Sequence, residues 1–136
     1  MTVRARYKIE AGISSTSAED RDLGNHLFES LADQENEGGS RKTRLPAAAV
    51  DQELTMCDIA TARLLIVRTV AADVNDTPVE ITVKRNTVGN EAIEVGPLPG
   101  TKEGYLLLTT VTGITALFAS NPGAVDMDVT IIVAGD

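Results

Sequence analysis

The chain has 136 residues, a formal net charge of −8, one histidine and one cysteine, and no tryptophan. The acidic balance opposes nucleic-acid binding, which needs clustered Lys and Arg to displace phosphate counterions, and opposes a membrane-surface role. A single cysteine excludes an internal disulfide, and one His with one Cys excludes a zinc-type site.

With aromatics at 3% and a 43% hydrophobic share, the core must come from Val, Ile, Leu and Ala, whose β-branched members favour strands. The opening "VRARYKIE" alternates strictly, Val3, Ala5, Tyr7 and Ile9 against Arg4, Arg6, Lys8 and Glu10, which predicts a half-buried strand. Its charged start lacks the apolar centre of a signal peptide, so the chain is expected to be made in the cytoplasm. "SAEDRDLGNHLFESLADQ" sets Leu23, Leu27 and Leu31 at helical spacing behind Ser17 and Asp20, a capping pattern, and predicts a short helix weakened by Gly24. "DQENEGGSRKTR" reads as a polar mobile loop, and "LPAAAV" as an extended lead into a second region.

From Asp51 the sequence is strand after strand. "TARLLIVRTVA" is nearly continuous apolar residues, as expected of a strand covered on both faces. "PVEITVKRN" alternates, "NEAIEV" is short and closed by Gly96-Pro97-Leu98-Pro99-Gly100, and "GYLLLTTV" and "GITALFAS" flank Thr112-Gly113. Asn121-Pro122-Gly123 turns the chain into "AVDMDVTIIVAGD". The regular turn signals predict an all-β fold, an antiparallel, jelly-roll-like β-sandwich over 51–136, with an extended N-terminal arm over 1–50 containing the short helix.

No arrangement of nucleophile, base or metal emerges, so no enzyme, cofactor or metal is expected. His26 reads as a surface or partly packed residue and Cys57 as a buried structural thiol. "DVNDTP" is a turn before it is a cation loop, and "GPLPG" precedes a strand, unlike a phosphate cradle. Asp126 and Asp128 lie on one side of the last strand and read as a solvated edge or a counter-surface for a neighbour's basic arm. Sugar binding would need surface aromatics, and Tyr105 and Phe118 read as internal.

"LLIVRTVAADVNDTPVEITVKRN" and "GYLLLTTVTGITALFASNPGAVDMDVTIIVAGD" together resemble the small β-sandwich virion proteins of tailed bacteriophages, which act as capsid decoration or cement proteins or as head–tail accessory subunits. The likeness spans residues 58–136 and rests on strand order, the "NPG" turn and the "VAGD" ending. It implies a virion location, a homo-oligomer, commonly a trimer, and extended termini docking on the major capsid or another virion protein. The expected interface residues are Tyr7, Ile9, Leu23, Leu27 and Leu31, with Arg41, Lys42 and Arg44 as rim charges that set register and on-rate more than affinity. A carbohydrate- or ligand-binding sandwich of receptor-binding or adhesin type is the alternative.

Overall fold

A computed structural model describes residues 3–14, 22–35 and 37–136, with side chains from Gly39 onward. All ten of its elements are strands. β1 (Val3–Ser14) and β2 (Asp22–Glu35) form an antiparallel hairpin. β3 (Glu37–Leu45), β10 (Met127–Gly135), β5 (Ala62–Ala71) and β8 (Glu103–Ile114) form one four-stranded sheet in that order. β4 (Gln52–Glu53), β9 (Leu117–Ser120), β6 (Ile81–Arg85) and β7 (Ile93–Val95) form a second. All the pairings are antiparallel.

One apolar core draws on both sheets. β10 contributes Met127, Val129, Ile131 and Val133, and β5 contributes Leu65 and Val67; Ile81, Val83, Val95, Leu117 and Ala119 come from the other sheet. These residues alternate along each strand, so the period-2 pattern of the sequence is the sidedness of the sheets. The pairs β3–β10, β4–β9, β5–β8 and β6–β7 are nested about the β6–β7 turn. The chain from β3 to β10 is thus one antiparallel ribbon, folded at its middle, whose successive pairs fall alternately in the first sheet and the second.

Several local expectations change. The helix expected around Leu23, Leu27 and Leu31 is replaced by strand β2 over Asp22–Glu35; Ser17 and Asp20 lie outside the described residues. A spacing of four serves both a helix and a strand, and here pairing with β1 supplies the backbone partners. The polar loop expected over 33–44 is largely strand β3, whose residues from Glu37 to Leu45 pair with β10. Its glycine has a reason: a Cβ on Gly39 would stand 2.8 Å from Cys57 Sγ. Cys57 itself is half-buried in a turn at φ 55°, not fully buried. "LPAAAV" holds a turn at Ala47–Ala48, with Ala49 N donating to Pro46 O at 3.1 Å, on the path from the first sheet to the second. β8 runs through Gly113, whose φ of 91° coincides with a register shift against β5.

One core polar group stands out. The Thr69 hydroxyl is fully buried and without a hydrogen-bond partner. Thr69→Val keeps the shape and removes the orphaned group, so it is expected to raise stability by about 1 kcal/mol in urea unfolding. A loss of stability instead would show that the hydroxyl is satisfied in solution.

Candidate interaction surface

The alternation that buries the odd-numbered residues of β10 places its even ones on the outer face of the first sheet. Register carries this face across four strands. One row runs Ser40, Ile132, Ile66, Leu107; the next runs Lys42, Thr130, Arg68, Tyr105; a third runs Arg44, Asp128, Val70, Glu103. Towards the start of β3 lie Ala134 and Leu64, which form a small apolar cluster with Ile66 and Leu107. Ile132 beside them is 46% exposed. A sheet face that meets water is normally polar along its alternate positions. This one is apolar at one end and charged at the other.

The charged end has two clusters. Lys42 Nζ and Arg44 Nε approach the Asp128 carboxylate at 3.2 Å each, and Asp128 is only 5% exposed beneath them. Asp126 Oδ1 accepts from Ala47 N at 2.8 Å. Asp126 is exposed, as a solvated edge would be, whereas Asp128 is covered and is neither solvated nor a free counter-surface. β10 is an interior strand between β3 and β5, and the basic residues that meet Asp128 belong to the same chain. Exposed cations over a covered carboxylate hold β3 in register more than they stabilise the fold.

In the second cluster Arg68 Nη2 donates to Glu103 Oε1 and the Tyr105 hydroxyl donates to Glu103 Oε2. The hydrogen bond from Arg68, followed by that from Tyr105, holds the Glu103 carboxyl below its ordinary range, and the same bond raises Arg68. A depressed carboxylate contributes above its unfolded pKa and stops contributing as pH falls through the folded one. A carboxyl NMR titration is expected to give Glu103 a midpoint below the usual glutamate value, rising in Tyr105→Phe and further in Arg68→Gln. A Glu103 midpoint at the ordinary value would remove the cluster from solution.

Tyr105 is 62% exposed, against the expectation that it is internal; Phe118 is half-buried. Tyr105 borders an open groove of about 690 Å³ lined also by Gly96, Leu98, Thr101, Lys102 and Glu103. The apolar run "YLLL" concealed its parity: Leu106 and Leu108 pack on the main core, while Tyr105 and Leu107 take the other face.

Of the residues expected at an interface, Lys42 and Arg44 come together on this face at Asp128, and Arg41 lies on β3 at an exposed position paired with Ile131. Tyr7 and Ile9 lie in β1, and Leu23, Leu27 and Leu31 in β2. Register does not unite them: Tyr7 and Ile9 stand opposite Ser30 and Phe28, while Leu27 and Leu31 stand opposite Glu10 and Arg6. The "DVNDTP" segment is a turn, with Asn75 N donating to Asp73 Oδ1 at 2.9 Å. Among the described residues no group of three His, Cys, Asp or Glu is placed to hold a metal ion, and no helix is long and apolar enough to cross a membrane. The chain matches no protein-family model, no curated protein and no solved structure.

Proposed function

We propose that this chain is a jelly-roll structural protein of a virion, a capsid decoration or cement subunit that assembles as a homo-oligomer, a trimer being favoured, and attaches to a protein shell through its N-terminal arm. A jelly roll is an antiparallel ribbon wound into two sheets, and the nested pairs from β3–β10 inward to β6–β7 follow that scheme. The observation that carries the attachment role is the β1–β2 hairpin. It forms a sheet of two strands only, and its principal neighbour beyond itself is β3. An isolated two-stranded ribbon is marginal in water, so this one calls for a further surface. At about 3.3 Å per residue it reaches about 40 Å, ample to contact a neighbouring subunit.

Light scattering on the purified chain and mass spectrometry of purified virions test this reading. An oligomer in solution and the chain among the virion proteins are expected; a monomer at every concentration, absent from particles, would overturn it. Truncation to probe the arm must stop before Glu37, because β3 is a strand of the sheet. Removal of residues 1–35 is expected to abolish shell attachment while the β-sheet circular dichroism persists.

The exposed Tyr105 beside Glu103, Arg68 and Leu98 favours a second reading, a carbohydrate-binding module in which the ring stacks on a sugar face and the Glu103 and Arg68 pair meets its hydroxyls. A glycan array with wild type and Tyr105→Ala decides it. A specific signal that the substitution abolishes would put this reading first.

A further inference from the structure

Of the four outer strands of the two four-stranded sheets, three are protected against further pairing and one is not. We infer that this one, β8, pairs edge to edge and antiparallel with the β8 of a second copy. The contact rests on the self-association proposed in the preceding section and adds a two-fold axis to it. An isologous edge pair closes at two copies, so it joins chains, or trimers made through other contacts, in pairs.

An outer strand turns a row of backbone N–H and C=O groups away from its sheet, and proteins blunt such edges by shortness, charge, proline or cover. β4 has two residues and β7 three. β3 presents the exposed Arg41, Lys42 and Arg44 and has the hairpin beside it. β8 is twelve residues long, and the order of its sheet ends on it. Among the described residues its one bridge away from β5 is Pro97–Gly104, at its start. From Tyr105 to Ile114 it carries neither a charge nor a proline. Thr109, Val111 and Thr112 are exposed, Val111 at 91%. The open stretch ends at Gly113, where the register against β5 shifts and Gly113 N donates to Thr110 Oγ1 at 3.3 Å.

The strand is complementary to itself. A two-fold axis through Thr109 sets each copy's Val111 opposite the other's Leu107, and Thr109 opposite Thr109. Alternation puts all three on one side, that of the outer cluster to which Leu107 belongs. The most exposed aliphatic side chain of the strand thus meets an aliphatic one, twice, and the threonines form a cross-strand pair. Charge favours the same approach. Two copies of a chain of net charge −8 repel each other, yet residues 104–125 hold no ionisable acid or base but the Tyr105 phenol, so copies meeting along β8 bring no like charges together.

The test uses the full chain in two arms. Val111→Lys places one ammonium per copy on a side chain already in solvent. It is expected to weaken self-association by about a hundredfold, read by light scattering across a dilution series, with unchanged circular dichroism. In a Cys57→Ser background, Thr109→Cys leaves one thiol per chain, so any disulfide joins two chains. Residues opposite each other in an antiparallel pair lie about 4.5–5.5 Å apart at Cα, within disulfide reach. Mild oxidation is expected to link Thr109→Cys at least about tenfold faster than Val74→Cys, whose position in the β5–β6 turn is 87% exposed. A wild type that self-associates while Val111→Lys associates equally well, or while Thr109→Cys links no faster than Val74→Cys, would overturn the edge pairing and leave the oligomer standing. A wild type that is monomeric at every concentration would overturn both.

Discussion

Asn121→Ala is expected to lower unfolding stability by about 3 kcal/mol, a large share of what a domain of this size has. Asn121 is fully buried. Its Nδ2 donates to Leu45 O at 3.2 Å and to Val125 O at 2.7 Å, and its Oδ1 accepts from Gly123 N at 3.0 Å. Its own N–H donates to Ala49 O at 2.9 Å. One side chain therefore ties the end of β3, the turn into β10 and the segment just before β10 together. Alanine removes three partners at once, and each buried or half-buried group left unmade costs about 1–3 kcal/mol, reduced where water can enter. Asn121→Asp separates hydrogen bonding from shape: it keeps the acceptor for Gly123 but turns a carboxylate oxygen toward two carbonyls, and should cost at least as much. In urea unfolding both variants should shift the midpoint with an unchanged slope. A loss below about 1 kcal/mol for alanine would mean that water takes over the amide's bonds.

That position shows what was legible in advance. Asn-Pro-Gly announced a turn because Pro fixes φ and Gly accepts tight geometry, and the turn is there. The role of the amide as a latch on Leu45 was not legible, because its partner is 76 residues away in sequence. The same division runs through the chain. β5, β6, β7 and β10 follow from apolar periodicity, since their inward residues are Val, Ile, Leu and Met. β3 does not, because an edge strand carrying Ser40, Arg41, Lys42 and Arg44 has little apolar pattern, and only the waiting edge of β10 makes it a strand. Leu23, Leu27 and Leu31 fit two periods equally, and Gly24 and Asn25 were the sole local hints against a helix. Periodicity puts Asp126 and Asp128 on the outward side and Asp126 is exposed; that Lys42 and Arg44 lie over Asp128 on an interior strand is a fact of topology.

The second large effect compares neighbours on β5. Leu65 is fully buried in the main core, whereas Leu64 belongs to the small outer cluster with Ala134, Ile66 and Leu107. Leu65→Ala should cost about 3–4 kcal/mol, because a central strand of the first sheet, held between β10 and β8, cannot collapse into the vacated volume. Leu64→Ala should cost about 1–2 kcal/mol in the isolated chain, since fewer apolar atoms surround it. The apolar run "TARLLIVRTVA" suggests a strand covered on both faces: one face meets the second sheet, and on the other Leu64 is buried while Arg68 is exposed. If the outer face takes part in the proposed self-association, the Leu64→Ala deficit should grow with protein concentration, while the Leu65→Ala deficit should stay constant. Thermal unfolding of both variants over a hundredfold concentration range reads the difference. Parallel behaviour of the two would leave the outer face without a role in assembly.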